Sequence, residues 1–430
     1  MLTISISKMT NPKLVKRIIT CQGTIQLVTA LSVLSYREKK QNNLTIKYQD
    51  YLVIYHLYSP PGQIDEFAAF IKKIAELVGE WQKIVYITPE QLSDIESRLD
   101  YSSPSKIFRI VHEMVGTSRA DEIYLCRNWM FGNKLLINSY KSAIKICYGD
   151  SIGFYFSVNS KALFADKPEP KFNLFSYIQK KQKALVRKLK TSLRLITYLK
   201  IRPKFDIGYF VLPEAFGESP PMKTVTLNKV WLLETFQKLR GLVNPEYVLQ
   251  FRNKIAESAV SILLTSNFSE ARRMSVDNEI AAYREFLIGE GIEPNTVLVI
   301  KPHPRDDNVK LQKLEDALSE LFDKIIILSE PDLFFLPFEV FFAEAFLPLD
   351  SRVNNQPRVF AVSTACISLK LLFNVPSIVG FGEQITSKLF YENYAAGRLE
   401  HEQELRAAIN NVEVPGIITE HHESPTYQSI

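Results

Sequence analysis

Residues 16–34 read KRIITCQGTIQLVTALSVL, and the order of features in this stretch decides the fold. KRIITCQ (16–22) fits a short buried strand, Gly23-Thr24 breaks it, and Gln26, Leu27, Ala30, Leu31 and Leu34 then recur at helical spacing. A strand that turns directly into a helix is the opening of a β-α-β unit. The alternation continues with strands near 51–57 (YLVIYHL), 83–87 (KIVYI), 122–126 and 143–148 (AIKICY), and helices at 64–80, 105–115 and 129–138. A second series starts after about residue 205. Its strands fall at 207–212, 259–264 (AVSILL), 296–300 (TVLVI), 324–328 (KIIIL), 358–362 and 376–380, and its helices at 229–240, 245–257, 277–288, from about 336, and 365–373. This pattern predicts parallel sheets wrapped by helices. The expected architecture is α/β, with two Rossmann-like domains, 1–205 and 206–430, facing a central cleft. Ligands of such sheets sit at the carboxyl ends of the strands, so chemistry is expected in the residues that directly follow them.

Composition narrows the class. A chain of 430 residues that is 46% hydrophobic is long and apolar enough for two ordinary α/β cores. Its 52 Lys+Arg against 47 Asp+Glu leave only +5, which argues against a nucleic-acid partner. Cys21, Cys126, Cys147 and Cys366 are scattered, with no CxxC pair and no metal-ligand spacing, and are expected to be free thiols in a reducing compartment. Lys8, Lys13, Lys16 and Arg17 interrupt the first residues, and no 18-residue apolar run occurs. The expectation is a cytoplasmic protein without a cleaved leader or a spanning helix.

One stretch stands apart. Residues 177–204 (YIQKKQKALVRKLKTSLRLITYLKIRPK) hold ten Lys or Arg and no acid. Ile178, Leu185, Leu189, Leu193 and Ile196 share one helical stripe, as on a helix lying on an anionic membrane surface. A linker helix packed on one domain with a solvated basic face fits equally. The end of the chain, about 412–430, is polar and expected to be mobile.

Four places could carry chemistry. Val297-Leu298-Val299-Ile300 is followed by Lys301-Pro302-His303-Pro304-Arg305-Asp306, so a buried strand delivers an imidazole flanked by prolines and two cations to the crevice edge. That group suits an anionic phosphate; the alternative is a rigid turn whose His bonds the backbone. Ser363-Thr364 lies between strand and helix, where hydroxyls and free N–H groups cradle phosphate or simply cap the helix. Tyr148-Gly149-Asp150-Ser151-Ile152-Gly153 puts a carboxylate on a turn after a strand, as a general base or as an ordinary turn residue. Leu336-Pro337-Phe338-Glu339 opens an apolar helical run with a carboxylate that could accept ribose hydroxyls or serve the helix dipole.

An acidic turn in the first half, then KPHP, then PxE, then a Ser/Thr pair, in that order, resembles the bacterial sialyltransferases, particularly the polysialyltransferase and lipooligosaccharide sialyltransferase group. The resemblance implies a GT-B fold, CMP-sialic acid as donor, a glycan hydroxyl as acceptor, an inverting displacement and no metal or other cofactor. It implies Asp150 as base, and His303 with Pro304 at the donor phosphate and departing CMP, beside Lys301 and Arg305. Ser363 and Thr364 also map to the phosphate, Glu339 to the ribose, and Gly23 and Thr24 to a loop near the donor sugar. Two positions depart from the family pattern: Ser151 stands where Gly is usual, and Gly149 where a second acid can occur. Rival readings are a GT-B enzyme for another nucleotide sugar, and a catalytically inactive relative that binds glycan or membrane.

Overall fold

The computed structural model describes residues 12–41, 46–99, 102–155, 204–217, 219–347 and 356–412. Most of the basic stretch, 177–203, and the polar tail from 413 lie outside the described residues. The first sheet consists of β1 (Lys13–Cys21), β2 (Ile46–Ile54), β3 (Lys83–Tyr86), β4 (Glu122–Leu125), β5 (Ile144–Cys147), β6 (Ile207–Phe210) and β7 (Lys223–Thr226). All pair in parallel in the order β3-β2-β1-β4-β5-β6-β7. The second contains β8 (Ala259–Leu264), β9 (Thr296–Lys301), β10 (Lys324–Ile327), β11 (Arg358–Ala361) and β12 (Ser377–Val379). It too is parallel, in the order β10-β9-β8-β11-β12.

Between and after the strands of the first sheet run α1 (Thr24–Gln41), α2 (Ile64–Val78), α3 (Pro89–Arg98), α4 (Pro104–Val115) and α5 (Phe131–Ser139). Then come α6 (Val230–Leu239), α7 (Pro245–Ile255), α8 (Val276–Gly289), α9 (Asn308–Leu318), α10 (Pro331–Phe334) and α11 (Phe338–Phe346). The chain closes with α12 (Ala365–Phe373), α13 (Gly382–Leu389) and α14 (Glu392–Asn411). Among the described residues no helix is long and apolar enough to cross a membrane.

The two-sheet α/β architecture is the expected one, but the first sheet reaches past residue 205. The strand at 207–210 pairs with β5, and β7, a short strand the hydrophobic pattern does not announce, pairs with β6. Gly153 O locks this arrangement by accepting from Val211 N (2.8 Å) and Leu212 N (3.1 Å). A strand's own sequence says that it wants neighbours and not which sheet supplies them.

In both sheets the strand order reverses beside the first strand, which opens a crevice between β1 and β4 in one half and between β8 and β11 in the other. The far end of the first sheet is tied by charge. Arg17, 1% exposed in β1, grips its register partner Asp50 through Nε (2.6 Å) and Nη2 (2.5 Å) and also reaches Glu38 on α1. The carboxyl ends are left for the site.

The halves pack against each other. Phe67 on α2 stacks on Phe335 with centroids 4.7 Å apart, worth roughly 1 kcal/mol beyond the area it buries. Between them α6 touches both: Lys229 Nζ at its start donates to Leu371 O on α12 at 3.0 Å, and Thr235 within it shares a 2.9 Å hydrogen bond with Ser32 on α1. One apolar cluster runs without a break from Ile19, Val28 and Ile71 to Phe335, Val340 and Leu369.

Cys21, Cys126, Cys147 and Cys366 are all free and buried. Burial pushes the Cys126 thiol up to about 11 and the thiols of Cys21 and Cys366 up to about 12. The folded protein should therefore react only slowly with a thiol reagent near pH 8, and the denatured, unreduced chain should release four thiols. A titre below four would refute the assignment.

Candidate active site

The first half of the site is built where β1, β4 and β5 end. The Asp150 carboxylate receives Gln26 Nε2 (2.6 Å) from α1 and the Arg127 guanidinium from the loop after β4, both on Oδ1. No described residue donates to Oδ2. Gln26 is oriented in turn by Gln22, whose N–H donates to Gln26 Oε1 at 3.0 Å, while Gln22 Nε2 reaches Asn133 Oδ1 at 3.3 Å. Tyr55 OH completes the chain by donating to Asn133. A carboxylate fixed by a guanidinium and an amide on one oxygen presents the other in a set direction.

The backbone around Asp150 is as constrained as its side chain. Asp150 N donates to Phe154 O (3.2 Å), and Phe154 N returns to Ser151 O (2.9 Å). Gly149 has φ +90°, and a Cβ there would meet Phe154 O at 2.7 Å. Ile152, fully buried, is held at φ 33°, an uncommon conformation for a β-branched residue. Gly23 opens α1 with open space where a Cβ would stand, and Thr24 beside it is buried. Asp150 and the Gly23-Thr24 turn are thus brought together through Gln26.

The second half is built on a buried acid. Asp306, 1% exposed, accepts from His303 N (2.8 Å) and Thr265 Oγ1 (2.6 Å) on Oδ2, and from Lys310 Nζ (2.8 Å) on Oδ1. Burial pushes its carboxyl up to about 6, against the pull of Lys310. Thr265 follows β8 and His303 follows β9, so this acid ties the ends of adjacent strands. Arg305 N donates to His303 Nδ1 at 3.2 Å, which leaves Nε2 as the protonated nitrogen of the neutral ring. The residue is half-buried, and desolvation, helped by Arg305, Lys310 and Lys301, holds the ring's pKa down to about 3. The imidazole is a neutral Nε2–H donor and not a standing cation.

The neighbouring residues divide. Ser363 and Thr364 sit half-buried at the start of α12, after β11, and Thr364, the N-cap, makes no side-chain capping bond. Simple capping thus does not occupy that hydroxyl, and His303 and the Ser-Thr pair stand on strands that both flank β8. Lys301 points elsewhere: its buried ammonium donates to Phe334 O at 2.6 Å, and burial lowers it to about 8. Glu339 is also buried, accepts from Ser368 Oγ on α12, and is raised by desolvation. These two tie β9, α10, α11 and α12 together. Pro304 is partly exposed in the loop, and the Arg305 guanidinium lies 4.0 Å from the centroid of the Tyr58 ring, on the loop after β2. That contact brings the carboxyl edges of the two sheets to face one another, the two-domain arrangement of a GT-B fold.

With that geometry in place, the sequence pattern of the alpha-2,8-polysialyltransferase family matches residues 17–380. The chain belongs to that family. It is a sialyltransferase-like glycosyltransferase, and a nucleotide-sugar donor and a glycan acceptor follow as its partners. No curated protein sequence matches it. Among solved structures it is similar to a protein described as a UDP-N-acetylglucosamine 2-epimerase from Listeria monocytogenes. That likeness has 14% identity and TM-score 0.44, over 93% of this chain and 91% of that one. It is similar also to a glycosyl transferase family 9 protein from Veillonella parvula, at 8% identity and TM-score 0.32 over 92% and 97%. A third is WaaG, a glycosyltransferase involved in lipopolysaccharide biosynthesis, at 11% and 0.32 over 94% and 96%. These distant likenesses accompany the architecture and decide nothing about chemistry.

Several residues of this polysialyltransferase-family site are not announced by its motifs. Gln26 and Arg127 hold the acid, Thr265, Asp306 and Lys310 hold the His303 loop, and Arg398 on α14 donates to Val362 O (2.9 Å) just before Ser363. Asp306 follows KPHPR directly and Lys310 lies one helical turn on, a signal that was legible; Gln26 looks like any polar helix residue.

Because the ordinary histidine value of about 6.5 falls to about 3 here, the folded state resists protonation while the unfolded chain accepts it. The stability His303 contributes is therefore present above about pH 6.5 and is lost as pH falls from there toward 3. Nitrogen-detected NMR of histidine-labelled protein should show an Nε2–H tautomer that does not titrate between pH 5 and 8 and vanishes in His303→Gln. A midpoint near 6.5 would contradict it.

Proposed function

We propose that the protein is an inverting transferase that moves a sialic acid-type sugar from CMP-sialic acid to a glycan hydroxyl, with Asp150 as base. The observation that carries this reading is a carboxylate held in direction after β5 of one sheet, with a neutral imidazole after β9 and, after β11, a half-buried Ser363-Thr364 pair whose Thr364 makes no capping bond in the other. The acceptor hydroxyl gives its proton to Asp150, its oxygen forms the new bond at the anomeric carbon, and the bond to the phosphate oxygen breaks. CMP leaves with that electron pair. As it departs its phosphate gains negative charge, and the Nε2–H of His303, the hydroxyls of Ser363 and Thr364 and the N-terminus of α12 meet that charge better than they meet the ground state.

Lys301 and Glu339 serve this reading from beneath, by fixing the elements that carry the phosphate-facing groups, and Gly23-Thr24 closes the donor-sugar side. No metal or other cofactor enters the proposed steps. We place the enzyme in the cytoplasm, with 177–204 as a contact to the anionic inner membrane surface and without a nucleic-acid partner.

Purified protein should release CMP from CMP-sialic acid in an acceptor-stimulated manner, tested with galactosyl and sialyl glycans. Asp150→Asn should lower that rate by about 100-fold or more while CMP binding stays nearly intact; unchanged transfer by the variant would refute the base. Competition by UDP or GDP in place of CMP would point to another nucleotide sugar, and binding without release to an inactive relative. The membrane contact predicts sedimentation with anionic liposomes at low salt and release at high salt; a protein that stays in the supernatant at low salt removes it.

A further inference from the structure

The cleft is bridged by a residue that none of the sequence motifs contains. Tyr58 sits on the loop between β2 and α2, 46% exposed, with buried Leu57 and Pro60 on either side of it. The loop is fixed upstream at His56, which has φ 50° and whose Nε2 accepts from Gly132 N at 3.1 Å. A residue this exposed has no core to fill. Instead its ring lies under the Arg305 guanidinium, 4.0 Å from centroid to carbon.

Each partner of that stack leads to a working group. Arg305 donates its backbone N–H to His303 Nδ1 and so fixes which nitrogen of the imidazole faces the donor. On the other side, Tyr58 lies within electrostatic reach of Arg127, which holds Asp150. Both arginines are cations, and a neutral aromatic face between the two sheet edges lets one approach without adding like charge.

We propose that Tyr58 is a positioning residue for the transfer: its stack with Arg305 holds the two crevices in register, so that the base on one sheet and the imidazole on the other act on the same substrate. The contact joins the loop after β2 to the loop after β9. Losing it lowers the fraction of molecules that are aligned, and leaves each half-site intact. The signature is a fall in turnover with little change in nucleotide binding. The aromatic face does this work, so phenylalanine suffices. This inference rests on the transferase reading for its kinetic arm, but not for its geometric one.

The test compares wild type, Tyr58→Phe, Tyr58→Ala, Arg305→Ala and the double alanine variant. For acceptor-dependent CMP release, Tyr58→Ala should lower kcat by up to about tenfold, the scale of a lost partly desolvated cation–π contact. Its CMP dissociation constant, read by calorimetry, should stay within about twofold, and Tyr58→Phe should match wild type. In the Arg305→Ala background the Tyr58→Ala change should add nothing. Independently, spin labels at Glu96→Cys and Gln312→Cys, exposed on opposite halves while the native cysteines are buried, report the distance across the cleft. That distance distribution should broaden in Tyr58→Ala and not in Tyr58→Phe. Wild-type turnover and distances in Tyr58→Ala would overturn the proposal, as would a Tyr58→Phe variant as damaged as alanine. If wild type binds no CMP, the donor assignment fails while the label distances still decide the clasp.

Discussion

The site depends first on a buried carboxylate. Asp306 is almost wholly out of water, a costly position that is tolerated because Lys310, Thr265 and the His303 amide all donate to it. Lys310 is shared with Glu270 and Glu279, and Glu279, itself fully buried, also accepts from Ser269 N. Removing Lys310 would strand the buried Asp306 and Glu279 without a counter-charge. That mutual dependence makes the loop after β9 rigid, and a rigid loop is what allows one imidazole to be held in a single tautomer.

The first half solves a parallel problem by different means. Asp150 is only partly buried, so it needs direction more than neutralisation. Gln26 and Arg127 supply that direction on a single oxygen, and behind Gln26 the Gln22, Asn133 and Tyr55 chain carries the constraint into the core. The first arrangement reaches across the reversal between β1 and β4 through Gln26 and Arg127, whereas Asp306 ties the adjacent ends of β8 and β9, beside the reversal between β8 and β11.

Much of this was legible in the sequence. Strand and helix periods were strong enough to show two parallel sheets, and the motifs after β5, β9 and β11 fall at strand ends as a crevice requires. What was hidden follows from long-range pairing. The strand at 207–210 joins the first sheet through contacts with β5 and Gly153, which no local pattern encodes. Lys301 and Glu339 read as crevice residues, yet each turns inward to a partner on a later element, Phe334 and Ser368. In α14, Arg398 and Glu402 look like a surface i,i+4 pair, but both are buried and support the end of β11 and the Phe381-Gly382 turn.

The two departures from the family pattern around Asp150 have a backbone explanation. At φ +90°, and with Phe154 O only 2.7 Å from where its Cβ would stand, position 149 has no room for an acid; glycine is what this turn requires. Ser151 carries no positive φ and instead accepts Phe154 N through its carbonyl, so glycine offers no advantage there. The left-handed positions of the turn are Gly149, Ile152 and Gly153, and the strain collects at Ile152, whose burial holds it in place. The residues at 149 and 151 thus match the dihedrals this turn adopts, and the orientation of the Asp150 carboxylate comes from outside the turn, from Gln26 on α1 and Arg127 after β4, so it does not depend on a second acid beside it.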